Sequence, residues 1–121
     1  MLEIIYYIDS KKNNSPIRDD ILSIKKDLVK IKIKAAILHL AQNHGISPGL
    51  LTKNIRGFHF SEIRIKFSKS LYRILYFIWR DEKMILLHIF LKKEGEVTPQ
   101  KELKKAERRY EDFLNNIDIY D

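Results

Sequence analysis

The residues whose types and spacing bear most directly on chemistry are cations set inside strand-like runs. In FSEIRIKF (residues 60–67), Ile63, Ile65 and Phe67 alternate with Glu62, Arg64 and Lys66. Side chains two apart on a strand project from one face, so Arg64 and Lys66 look the same way. Arg73 is the only charge in LYRILYFIW (71–79). A buried, unpaired guanidinium is expensive, so Arg73 must reach water, a carboxylate or a ligand. An ion pair with Glu62 is the structural alternative to an anion site. Lys92 and Lys93 close a third run, MILLHIFL (84–91), and read either as a solvated strand end or as further cations of one site. His88, the one polar residue of that run, reads as a satisfied core histidine before it reads as a catalyst.

Other chemistries have little to stand on. His39 and His44 are five apart, not the four that puts two histidines on one helix face for zinc. The four glycines are isolated, so no phosphate-cradling loop is present, and the serines form no nucleophile elbow. No cofactor and no metal are expected. The chain has no cysteine, which removes disulfides and cysteine–zinc sites and makes a reducing cytoplasm the natural setting.

Charge points to a polyanion. The formal net charge is +7, and residues 53–109 hold 15 Lys/Arg against 7 Asp/Glu. A one-sided basic field attracts nucleic acid or an acidic protein, although a solvated lysine face would look similar. The apolar N-terminal run Leu2–Ile8 is short and lacks a preceding basic segment, so no signal peptide is expected. No stretch approaches the roughly 18 apolar residues of a membrane span.

The elements that must position these cations are legible as follows. Residues 2–8, rich in Ile and Tyr, suit a first strand. Lys11–Asn14 is a turn, and Ser15-Pro16 is a helix start with a capping serine and a first-turn proline. Ile17, Ile21, Leu22 and Ile24 follow at helical spacing. A second helix over about 29–43 carries Ile33, Ile37, Leu40 and Ala41 on one face and stops at His44-Gly45. Ser47-Pro48-Gly49 is a loop. The runs 60–67, 71–79 and 84–91, separated by turns at Ser68–Ser70 and Asp81–Lys83, should form an antiparallel meander. Thr98-Pro99 reads as a second cap-plus-proline start, for a helix with Leu103, Ala106, Tyr110 and Phe113 inward. The acid-rich residues from Tyr110 on are expected to fray into a tail. The sum is one α+β domain over residues 1–121: a strand, two helices packed on an antiparallel sheet of three to four further strands, and a C-terminal helix, with the helices on one face.

Five pieces in this order resemble the HigB-type, phage-derived branch of the RelE/ParE toxin superfamily. They are Glu62-Ile63-Arg64, Leu71-Tyr72-Arg73-Ile74-Leu75-Tyr76-Phe77, Leu86-Leu87-His88-Ile89-Phe90-Leu91-Lys92-Lys93, Thr98-Pro99, and a helix with Ala106 and Arg109. The departure is Glu94-Gly95-Glu96-Val97, where the family usually has Thr-Gln-Lys; two acids there weaken the field beside Lys92-Lys93. The resemblance implies a RelE-like fold and the toxin of a type II toxin–antitoxin system. Its implied activity is ribosome-dependent endonucleolytic cleavage of mRNA.

It also implies a site of Arg64, Lys66, Arg73, Lys92 and Lys93. Arg73 would hold the scissile phosphate, Arg64 and Lys66 would position it and do base work, and Lys92 or Lys93 would serve the leaving oxygen. The physics is consistent. RNA carries its own nucleophile, the 2′-hydroxyl, and preorganised cations stabilise the developing oxyanion without a metal. Arginine forks match phosphate geometry, and crowded cations lower a lysine's pKa into the range of a base. Implied partners are a helix-turn-helix antitoxin, in a toxin–antitoxin hetero-oligomer, and the ribosome with its mRNA, in the cytoplasm. Two other functions share the fold: a ParE-like gyrase inhibitor, and an RNA-binding remnant of a mobile element.

Overall fold

A computed structural model describes residues 1–46, 51–92, 95 and 97–120. Its elements are β1 (Glu3–Tyr6), α1 (Pro16–Leu22), α2 (Asp27–Gln42), β2 (Leu51–Asn54), β3 (Ser61–Phe67), β4 (Ser70–Trp79), β5 (Lys83–Lys92) and α3 (Gln100–Asn115), followed by a 3-10 turn at Ile117–Tyr120. The α+β class is as expected. The loop expected at Ser47-Pro48-Gly49 lies outside the described residues.

The local signals explain the elements. Ser15 caps α1 by accepting a hydrogen bond from the Arg18 N–H, and Pro16 occupies the first turn. α2 stops where His44 and Gly45 both take positive φ and the Gly45 N–H reaches back to the Leu40 carbonyl. A Cβ at Gly45 would also stand 2.9 Å from the end of the Ile78 side chain, which would have to shift. The Gly45 carbonyl accepts from the Tyr76 hydroxyl, whose pKa burial pushes up to about 12. β4 and β5 turn on Arg80 and Asp81, both at positive φ, so the turn sits one residue earlier than the sequence suggests.

The meander β3–β4–β5 is antiparallel, but the sheet is mixed and larger. Its order is β1-β5-β4-β3-β2, with β1 parallel to β5 and β2 antiparallel to β3. β1 and β5 are separated in sequence by two helices and three strands, so no hairpin forces them antiparallel.

Nor do the helices share a face. Tyr76 and Ile78 meet the end of α2 at Gly45, whereas Phe77 and Trp79 pack on Phe113 of α3. Alternate strand residues point to opposite faces, so α1 and α2 cover one side of the sheet and α3 covers the other. This explains why β4 and β5 are apolar almost throughout: both of their faces are core.

The C-terminal segment is not a frayed tail. Asp112 accepts hydrogen bonds from the Tyr7 hydroxyl at 2.6 Å, from the hydroxyl and backbone N–H of Ser10, and from Asn116. Burial opposes its charge, but these donors outweigh it and hold the carboxyl below its ordinary pKa. Phe113 is buried, and Tyr120 bonds to the backbone of Ile8. Asp112 and Tyr120 therefore tie the C-terminal segment to the chain's first residues.

Candidate active site

The sheet register places the strand cations in rows. On the α3 face, Lys66, Leu71 and Lys92 form one row across β3, β4 and β5. Arg64, Arg73 and Phe90 form the next row, and Glu62, Leu75 and His88 the third. Two arginines directly opposite each other repel. Glu62 resolves that conflict.

Glu62 was expected on a polar strand face, yet it is wholly buried. One carboxylate oxygen, Oε2, accepts from Arg73 Nη1 at 2.9 Å and has Arg64 Nε at 3.8 Å and Lys53 Nζ at 3.9 Å. The other, Oε1, accepts from the Thr98 hydroxyl at 3.2 Å, and that hydroxyl accepts from Lys92 Nζ at 3.2 Å. Four cations from four strands thus gather around one buried carboxylate. Arg73, with 2% of its surface exposed, takes the carboxylate among its possible partners, and its Nε has no hydrogen-bond partner.

Thr98 is not the cap of α3. The helix begins at Gln100 with Pro99 at the N-cap and no side-chain cap, because the threonine hydroxyl is engaged by Glu62 and Lys92. The start of α3 is fastened to the sheet by this contact.

The cluster is graded in exposure. Lys53 and Arg64 have about half and a third of their side chains in solvent, whereas Arg73, Glu62 and Lys92 lie beneath. Burial lowers the pKa of Lys92, and Arg73, Lys53 and Arg64 lower it further against the opposing pull of Glu62. An anion approaching this face meets Arg64 and Lys53 first.

The structure brings Arg64, Arg73 and Lys92 together. Lys66 is exposed, one row nearer the β3–β4 turn, and its backbone carbonyl accepts from Lys32 Nζ. Lys93 lies outside the described residues, as do Glu94 and Glu96. Lys53 and Thr98 are the members that strand periodicity alone misses. Lys53 sits on a four-residue strand whose pattern is too short to read, and Thr98 resembles a helix cap in sequence.

His88 stands apart from the cluster. It is buried, stacked on Phe90, with Nδ1 at 3.2 Å from Arg109 Nη1 and Nε2 at 3.4 Å from Glu102. Arg109 also donates to the Leu87 carbonyl, at the register shift where Leu75 faces His88 but Tyr76 faces Leu86. Burial first, and then Arg109, depress the His88 pKa to about 4, so the ring is neutral near pH 7.

Arginines and lysines on a rigid sheet, aligned by one carboxylate, have the chemistry to hold an anion. The chain matches the family described as Phage derived protein Gp49-like (DUF891) over residues 19–111, most of its length, and belongs to that family. No curated protein matches it. Among the described residues no helix is long and apolar enough to cross a membrane.

Proposed function

We propose that the chain is the toxin of a type II toxin–antitoxin system, an endoribonuclease that cuts mRNA on the ribosome by attack of the 2′-hydroxyl on the adjacent phosphate. The observation that carries this reading is the gathering of Lys53, Arg64, Arg73 and Lys92 around Glu62. Membership of a phage-derived family and the resemblance to HigB-type toxins support it.

In this mechanism Arg64 and Lys53, at the mouth, hold the scissile phosphate. Arg73 supplies positive charge from behind, with Nη1 fixed on Glu62 and its buried Nε without a hydrogen-bond partner. Lys92, whose proton is loosened by burial and by its cationic neighbours, gives that proton to the 5′-oxygen as the P–O5′ bond breaks, while the 2′-oxygen bonds to phosphorus, releases its proton to water and leaves a 2′,3′-cyclic phosphate. Lys66, exposed one row nearer the β3–β4 turn, adds positive charge for the incoming RNA backbone. The ribosome holds the message in attack geometry, which a small protein with an open face does not do alone. A helix-turn-helix antitoxin holds the toxin inactive in the cytoplasm until it is released.

The test is induced expression with synthesis rates followed in time. Protein synthesis should fall before DNA synthesis, and new mRNA ends should map to translated regions. DNA synthesis stopping first, with gyrase-linked breaks, would sink this reading in favour of a gyrase inhibitor. Rapid cutting of naked RNA would remove the ribosome from it.

A further inference from the structure

α2 is apolar on two opposite faces. Val29, Ile33, Ala36, Ile37, Leu40 and Ala41 are buried and account for one face. Leu28, Ile31 and Leu38 lie on the other, 69%, 62% and 43% exposed, with Ala35 also exposed between them. A surface helix needs one apolar stripe, so the second one is surplus to this fold. Its spacing of three, four and three residues is that of the a and d positions of two heptads, the pattern that seats a partner helix. Leu22 at the end of α1 is half exposed and widens the patch. It lines a cleft between α1 and α2 with Tyr6, Arg18, Ile21 and Lys34.

The rim of the seam carries positive charge. Lys34 stands at the flanking g position, Lys32 at e is turned to the Lys66 carbonyl, and Arg18 adds a further cation at the cleft. The acid at the preceding g position, Asp27, is engaged by Lys30 of the same helix at 3.4 Å. A second copy of this chain would set lysines against lysines on a protein of net charge +7. We propose that this seam docks one amphipathic helix of a partner protein, with apolar residues at its a and d positions and Asp or Glu at the flanking e and g positions. The seam lies on the α2 side of the sheet, opposite the Glu62 cluster. An occupied seam therefore leaves the cluster uncovered, and the proposal stands apart from the reading of that cluster as a nuclease.

The probe is a three-heptad peptide with Leu at a and d and Glu at e and g, whose acidic flanks keep it from pairing with itself. Its binding to the full chain is titrated beside a twin peptide carrying Lys at e and g. The acidic peptide should bind, less tightly as salt rises, and the lysine twin should not. Ile31→Glu with Leu38→Glu should weaken binding by about tenfold or more, with the helical circular dichroism of the chain intact. Leu28→Gln with Leu38→Gln should weaken it less. The proposal is overturned by equal binding of both peptides, by no binding, or by binding that ignores both variants. It is overturned as well if sedimentation shows a dimer of the chain that Ile31→Glu dissolves.

Discussion

Arg73 on β4 and Glu62 on β3 meet at 2.9 Å with 2% and 0% of their side chains exposed, so each is the other's answer to burial. Desolvating two charges costs several kcal/mol, which a well-made pair only roughly offsets. The pair therefore organises the site more than it stabilises the fold. It lets two arginines face each other across adjacent strands, and it turns Arg64, Lys53 and Thr98 toward one point.

Breaking the pair from one side should be severe. Arg73→Ala leaves the Glu62 charge buried with the Thr98 hydroxyl at 3.2 Å and its nearest cations only at 3.8 and 3.9 Å, at a cost of about 3–5 kcal/mol. Glu62→Leu combined with Arg73→Met removes both charges and should recover most of that stability. Urea denaturation of the two variants beside the parent decides it. An Arg73→Ala chain as stable as the parent would mean that Glu62 is held by other groups.

Removing the Lys92 charge should separate activity from stability. Lys92→Met keeps the volume and deletes the charge. The lowered Lys92 pKa means that the fold binds this proton less well than the unfolded chain does. Parent stability should therefore rise with pH between that folded value and the ordinary 10.5, and the variant should lack this rise. At pH 7 the variant should be as stable as the parent or more so. Its mRNA cleavage should fall by about 10²–10³, the usual loss for one transition-state group. A folded Lys92→Met chain that still arrests growth at full strength would exclude Lys92 from the chemistry.

His88 should make the fold acid-sensitive. Its folded pKa of about 4 lies below the ordinary 6.5, so the unfolded chain takes up the proton first as pH falls. The stabilisation from a neutral ring is present above pH 6.5 and is lost progressively down to about pH 4, a change on the order of 3 kcal/mol. Glu102 opposes the shift, so Glu102→Gln should deepen the loss. The midpoint of unfolding measured across this range gives the slope, and His88→Phe should flatten it.

The C-terminal segment should behave as part of the core. Asp112→Ala removes the acceptor shared by Tyr7, Ser10 and Asn116, and hydrogen bonds to a charged group contribute about 1.5–3 kcal/mol each before relaxation. A drop in melting temperature of several degrees is expected, together with faster hydrogen exchange at Tyr7 and Ser10. Deleting residues 111–121 should be worse still, because Phe113 leaves with them. A truncated chain that melts like the parent would restore the idea of a frayed tail.

By itself the sequence determined the local structure and the ingredients of the site. Ser15-Pro16 starts a helix because capping and a fixed φ are properties of those two residues. The three long strands of the meander follow from their turns and their apolar runs. Arg73 was marked by the same logic, since one charge in an apolar strand demands a partner.

Tertiary structure decided what depends on residues distant in the chain. It set β1 parallel beside β5, added the short β2 with Lys53, and placed α3 on the opposite face from α1 and α2. It turned Thr98 from an apparent cap into a link between Glu62 and Lys92, and it made Asp112, expected in a frayed tail, a clasp on Tyr7 and Ser10. The physical reason is the same in each case. Periodicity reports which face of an element is apolar. A polar side chain's partner is chosen only when elements far apart in sequence exclude water around it.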